Sequence, residues 1–180
     1  RFEVLTPGGE TAAGGVVLHP QAVPLRGKAR ERRLELLAGL ALAEKDMLLA
    51  LAREAGIRGL RAEELTGFTR LAPAAYQGLA ARLEEEGRLR IISFSPLFVI
   101  SREGLDFLKE SCLGHLRRFH EKHPDRRGLT VEDLKKRFRV TEEVVRLAVM
   151  GLAREDSLVI EAGLLRLPGF KVRLAEEDKL

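Results

Sequence analysis

Two stretches of this chain follow one pattern: residues 59–91 read GLRAEELTGFTRLAPAAYQGLAARLEEEGRLRI, and residues 128–160 read GLTVEDLKKRFRVTEEVVRLAVMGLAREDSLVI. They align without a gap at an offset of 69 residues. Apolar positions coincide through the alignment, as where Leu65 falls on Leu134 and Leu83 falls on Leu152. Self-similarity at a fixed period indicates that one structural unit is used twice.

Each copy predicts three helices followed by a pair of short strands, because the apolar period changes from helical to extended near its end. In the first copy we expect helices at residues 43–55, 62–67 and 73–86, and strands at 89–94 and 97–101. In the second copy we expect helices at residues 105–123, 131–138 and 142–155, and strands at 157–161 and 164–167. Three helices and then a hairpin form the winged-helix arrangement.

The expected fold is therefore mainly α with small β-hairpins, an α+β protein of tandem winged-helix domains preceded by a short extended β segment. Two strands are predicted in that segment, at residues 1–5 and 15–18, with a turn-rich stretch between them and a basic linker after them. The expected divisions are residues 1–33 for this segment and linker, 34–103 and 104–173 for the two domains, and 174–180 for a C-terminal tail.

Composition excludes some classes of function but does not identify the function. The 180 residues contain 31 Lys and Arg against 27 Asp and Glu, a formal net charge of +4, which permits contact with a polyanion but does not require it. The single cysteine cannot form an internal disulfide, and no apolar run is long enough to span a membrane. We therefore expect a cytoplasmic location and no membrane partner.

Residues that could carry catalysis or bind a metal do not form a recognisable site. His115, His120 and His123 are spaced by five and three residues, unlike the i, i+4 pair of a zinc-binding helix, so a solvated helix end is the expected alternative. Cys112 has no evident activating partner and is expected to be a small buried side chain. We predict no catalytic, cofactor-binding or metal-binding residue in the 180 residues.

The helices that would read a DNA duplex are poorly suited to that task. In the first copy that helix offers Tyr76, Gln77 and Arg82 before three glutamates, and in the second it opens with Glu142 and Glu143. A carboxylate at the edge of the groove is repelled by phosphate. Specific binding of duplex DNA is therefore not expected.

Basic residues gather instead outside these helices, where they could contact an RNA backbone through charge alone. A solubilising surface is the alternative for each cluster. Arg117 and Arg118 form one such cluster on the helix before the second copy. The residues predicted to contact the RNA backbone are Lys135, Lys136, Arg137, Arg139, Arg126, Arg127, Arg30, Arg32 and Arg33.

The chain resembles a known family. The repeat, together with LRRFHEKHPDRRGLTVEDLKKRF at residues 116–138 and LLRLPGF at 164–170, is similar to the first two winged-helix modules of the bacterial selenocysteine-specific elongation factors, SelB. Residues 1–20 resemble the closing strands of that family's third EF-Tu-like barrel. The resemblance implies a C-terminal part of such a factor, which begins at the end of the barrel and contains the first two winged-helix domains.

The resemblance implies a translational GTPase that delivers selenocysteyl-tRNA to a ribosome at a UGA codon, with GTP and Mg²⁺ bound by an N-terminal domain outside this sequence. It implies RNA partners, namely tRNA, an mRNA hairpin held by later C-terminal modules, and the ribosome, for a protein that acts as a monomer. These two domains would form an arm between the ends that bind tRNA and mRNA. The alternatives are a DNA-binding transcriptional regulator and a chromosome-segregation adaptor with paired winged helices.

Overall fold

The computed structural model describes residues 2–15, 26–41, 43–66, 68 and 71–172. Its helices are α1 (Lys28–Leu40), α2 (Glu44–Ala55), α3 (Ala62–Leu65), α4 (Pro73–Glu85), α5 (Arg102–Lys122), α6 (Val131–Phe138) and α7 (Glu142–Arg154). Its strands are β1 (Phe2–Leu5), β2 (Thr11–Gly15), β3 (Leu60–Arg61), β4 (Leu89–Phe94), β5 (Leu97–Ser101), β6 (Val159–Glu161) and β7 (Leu164–Arg166). None of the helices in this described part combines the length and the apolar character that a bilayer crossing requires.

The strands β1 and β2 form an antiparallel hairpin near the start of the chain. The prediction of the second strand at residues 15–18 is wrong at its start, and residues 16–18 lie outside the described residues. The turn is shorter than the glycine content indicated: Thr6 N donates to Glu10 O at 2.8 Å, so pairing resumes at Thr11. Gly9 supplies the positive φ of 83° in that turn.

The helix α1 begins at Lys28, inside the segment 19–33 predicted to be a basic linker that enters a helix, so the helix starts earlier than the apolar periodicity predicts. Apolar periodicity starts only near residue 34, but the preceding Lys, Ala, Arg and Glu residues all favour helix. The helix packs closely on α2: a Cβ atom on Gly39 would lie 2.5 Å from the Cβ atom of Ala50. The linker residues 19–25 and the tail at 174–180 lie outside the described residues.

The first module consists of α2, α3 and α4 with a three-stranded sheet in the order β3-β5-β4. The second consists of α5, α6 and α7 with the hairpin of β6 and β7, which Leu129 joins through a bridge to Leu165. The leucines aligned in the sequence repeat, Leu65 with Leu134 and Leu83 with Leu152, are at most 2% exposed. The tandem winged-helix prediction is confirmed.

The strand β5 contributes side chains to both modules, because successive residues of a strand point to opposite faces. Leu97 and Val99 pack in the core of the first module. Phe98 and Ile100 pack in the core of the second, among side chains of α5 and α7. Since both faces of β5 are buried, the two cores cannot separate without exposing apolar side chains to water.

The junction between the modules contains no connecting loop. The helix α5 begins at Arg102, directly after β5 ends at Ser101, whose buried hydroxyl accepts a hydrogen bond from Gly104 N at 3.1 Å. A Cβ atom on Gly104 would lie 2.8 Å from the carbonyl oxygen of Gly56 in the first module. The sequence predicted a short connection here, and the structure has a direct strand-to-helix transition.

Two glycines of α5 provide a matched test of this junction. Gly104→Ala places a methyl group against backbone and should destabilise the protein by about 1–3 kcal/mol, the usual cost of overpacking. Gly114→Ala meets nothing within 4 Å and should stabilise it by about 0.5–1 kcal/mol, because alanine is the better helix former. Urea unfolding measures both changes, and similar free energies of unfolding for the two variants would contradict the close contact.

Candidate nucleic-acid interface

The structure separates the basic residues predicted to contact RNA into three places. Arg30, Arg32 and Arg33 belong to α1, beside the first module, and the side chain of Arg32 lies outside the described part of the chain. Arg30 is exposed, and Arg33 Nη2 lies 4.0 Å from Glu54 Oε1. The other predicted residues lie on the second module, so the predicted set does not form one surface.

The cluster on α6 is partly neutralised. Lys135 Nζ lies 3.1 Å from one carboxylate oxygen of Glu132, and Lys136 Nζ lies 3.8 Å from the other. Arg137 and Arg139 form no ion pair with any described residue, and both are exposed. Arg139 closes α6 with a left-handed backbone, φ 54°. Two of the four cations are therefore already paired within the protein.

The basic residues around the C-terminal end of α5 are less constrained. Arg117 and Arg118 lie on the exposed face of that helix, and Arg126 and Arg127 lie in the loop that follows. All four are exposed, and none pairs with a carboxylate of the described residues. Unpaired, solvated cations can approach phosphate without first breaking an ion pair, so this end of the second module is the stronger candidate.

The first turn of α7 faces the first module. Glu142 and Glu143 line a hollow together with Arg58 and Arg61, and Glu142 also pairs with Arg146 at 2.6 Å. A winged-helix domain that reads a duplex places this end of its third helix in the major groove. Carboxylates and the first module lie where the groove of a duplex would have to contact α7, which disfavours base reading by this helix.

The three histidines have different environments. His115 is half-buried and His123 is exposed, whereas His120 is only 5% exposed. The interpretation of a solvated helix end is therefore wrong for His120, because the segment after β7 covers it. The Phe170 ring stacks on its imidazole with centroids 3.6 Å apart and planes 9° apart. In the described part of the chain, no three His, Cys, Asp or Glu side chains gather as a metal site would require.

The remaining candidate for chemistry is inert. Cys112 is 1% exposed, as predicted for a small buried side chain, and burial raises the pKa of its thiol to about 12. A thiol with that pKa is protonated at neutral pH and is a poor nucleophile.

Sequence reasoning did not select Arg166, Phe170 or Lys171, which surround the buried histidine. Arg166 and Lys171 flank Phe170 in the sequence LLRLPGFKVR, and an aromatic residue between cations is a signal typical of RNA-binding surfaces. The hairpin pattern and the family motif in LLRLPGF do not by themselves reveal this surface.

The buried histidine makes the stability depend on pH. Burial, and then the charge of Arg166, lower the pKa of His120, while Arg117, Glu121 and Lys171 line the same hollow. The neutral imidazole is therefore favoured in the folded state. Its contribution is complete above the unfolded-state pKa of about 6.5 and decreases as the pH falls below it. Urea unfolding at pH 7.5 and 5.5 should show a smaller loss of stability for His120→Leu than for the wild type, and equal losses would contradict this assignment.

Comparison with known proteins shows which proteins the chain is similar to. Residues 113–167 match the family model described as "Elongation factor SelB, winged helix". A selenocysteine-specific elongation factor from Desulfomicrobium baculatum is 28% identical over 171 residues, which cover 94% of this chain and 27% of that protein. The chain thus spans about a quarter of the length of this relative. Together with the tandem winged-helix architecture, these matches make the second module similar to a SelB winged-helix domain, and nearly the whole chain similar to a selenocysteine-specific elongation factor.

Proposed function

We propose that these two modules form a stiff arm in a selenocysteine-specific elongation factor, holding an RNA-binding end at a fixed distance from the body that carries tRNA. The observation that carries this proposal is the strand β5, whose two faces lie in two different cores. A junction without a loop has little freedom to bend once both faces are buried. A rigid spacer raises the effective concentration of one ligand at the site of the other.

The rest of the proposal concerns the whole factor. GTP and Mg²⁺ are bound by a GTPase domain outside these 180 residues. The whole factor delivers selenocysteyl-tRNA to the ribosome at UGA in the cytoplasm. An mRNA hairpin is bound by further C-terminal modules, and the factor acts as a monomer. The similarity to the Desulfomicrobium baculatum selenocysteine-specific elongation factor over 94% of this chain supports this context.

Within that context, the second module contacts an RNA backbone through the unpaired cations at the end of α5. Arg117, Arg118, Arg126 and Arg127 are exposed and free of ion pairs among the described residues, whereas Lys135 and Lys136 share Glu132. Backbone recognition needs charge and shape rather than base reading. The alternatives, a DNA-binding regulator or a segregation adaptor, are not favoured by the family match.

Salt dependence of RNA binding measures these contacts directly. Changing Arg117, Arg118, Arg126 and Arg127 together to Ala should flatten the plot of log affinity against log salt concentration by about 0.7–0.9 for each phosphate that the variant no longer neutralises. Changing Lys135, Lys136, Arg137 and Arg139 together to Ala should flatten it less, because Glu132 already neutralises part of that cluster. Filter binding with transfer RNA at several salt concentrations provides the slopes, and an unchanged slope in the first variant would refute a contact there.

The arm itself is tested in the complete factor. Gly104→Val forces a branched side chain against the backbone of Gly56 at the junction, whereas Gly114→Val, in the same helix, meets open space. We expect Gly104→Val to reduce UGA readthrough in a selenoprotein reporter several-fold at equal protein level, with GTP and tRNA binding retained. Gly114→Val should leave readthrough near that of the wild type.

The readthrough comparison also has a clear negative result. If both glycine variants support wild-type readthrough while Gly104→Val measurably loosens the junction, the fixed geometry is not required and the arm proposal is wrong. Urea unfolding of the same proteins establishes whether the junction was altered.

A further inference from the structure

The Phe170 ring lies between two hollows on the surface of the second module. It lines one hollow with Arg117 and Lys171, and a second with Arg127 and Arg166. One face of the ring is stacked on His120, which lines only the first of the two hollows. Phe170 is half-buried and lines both hollows, so it is accessible from the second hollow as well as from the first.

The side chain beneath this ring is a buried imidazole. His120 is 5% exposed, and neither of its ring nitrogens has a hydrogen-bond partner among the residues that the structure describes. Two aromatic rings lie close to it: Phe170 is stacked on it, and Phe119 has a centroid distance of 6.0 Å. The His120 imidazole therefore supports the Phe170 ring from the side of α5 and is itself too buried to contact a ligand.

The charges around Phe170 favour an anion. Arg117, Arg127 and Lys171 form no ion pair with any residue that the structure describes. Two carboxylates also line the hollows, Glu121 in the first and Glu161 in the second, and Glu161 is paired with Arg166 at 3.0 Å. Positive charge therefore remains in excess on both sides of the ring.

We propose that Phe170 stacks an unpaired RNA base on the face opposite His120, while Arg127 and Arg117 contact the flanking phosphates. A partly exposed aromatic ring between unpaired cations has the composition of a site for single-stranded nucleic acid. A duplex offers no free base face to such a ring, and an acidic peptide would use the cations but not the stacking surface. This inference rests on the RNA contact in the proposed function and identifies the RNA as single-stranded.

An exposed aromatic residue on the same module supplies a control for the half-buried Phe170. Phe107 on α5 is 62% exposed, and Glu103 and Glu110 lie one turn away from it on the same helix. It has the exposure that a stacking ring needs, but its neighbours one turn away are carboxylates, of which Glu103 is paired with Arg53, rather than unpaired cations. Replacing Phe107 by Leu should therefore have no effect on RNA binding.

The experiment uses the 180-residue protein and a single-stranded octauridine that contains one central 2-aminopurine. Binding to the wild type should change the 2-aminopurine fluorescence as the base stacks. Phe170→Leu, which keeps an apolar contact with His120, should lose this change and bind at least about fivefold more weakly. Phe107→Leu should match the wild type, and Arg127→Ala should weaken binding while keeping the fluorescence change of each bound strand.

The outcomes separate this inference from the function on which it rests. If Phe170→Leu folds and binds the octauridine as the wild type does, with the same fluorescence, the stacking site is wrong while the backbone contact stands. Should Phe170→Leu not fold, an absence of fluorescence change in the wild type and in Arg127→Ala overturns the inference equally. A wild-type protein that binds neither this strand nor transfer RNA overturns the RNA contact as well. If Phe170→Leu loses decaglutamate binding to the same extent as octauridine binding, the surface binds an acidic segment instead of RNA.

Discussion

The structure depends on one strand, β5, that has no solvent-exposed face. Its alternating side chains divide between two cores: Leu97 and Val99 on one side, Phe98 and Ile100 on the other. Each module by itself would leave one face of this strand in water and buries little apolar surface for its size. Packing the modules on opposite faces of β5 buries both faces of the strand and increases the apolar surface that each module buries. It also fixes the relative orientation of the modules as a consequence of folding.

Other features of the junction are consistent with this constraint. Gly59 has a positive φ of 71°, and a Cβ atom there would lie 2.6 Å from the Phe98 ring. The guanidinium of Arg61 lies over the same ring, 4.1 Å from its centroid. At the other end, Gly104 contacts the backbone of Gly56, so that α5 leaves the strand at a set angle. Glycines therefore occur where the backbone of one element lies close to its neighbour at the junction.

Much of the fold was predictable from the sequence because the repeat and the helical periodicity are strong local signals. The strands 89–94 and 97–101 and the helix 131–138 have the predicted bounds. The sharing of β5 was not predictable, because a continuous apolar run such as LFVIS indicates burial on both faces but does not say against what. Apolar periodicity does not predict the start of α1, which depends on helix propensity. Nor does it predict the position of β2, which depends on the length of the preceding turn.

The candidate interface was harder to predict, since charge counts along the chain do not reveal ion pairs in space. Lys135 and Lys136 were the densest basic residues in the sequence, yet both approach Glu132. The burial of His120 beneath Phe170 depends on a segment 50 residues away in the sequence, which no local pattern indicates. The ion pairs of α6 are the reason that we propose the RNA contact at the end of α5 and at the residues after β7.

The most direct test of the shared strand is ¹⁵N relaxation of backbone amides, which measures how each module rotates in solution. Amides of α2 and α4 and those of α5 and α7 should fit one rotational diffusion tensor, with the correlation time of a single body of this mass. Two separate correlation times, each near that of a module of about half the mass, would show that the modules move independently and would contradict the shared strand as the constraint on the structure.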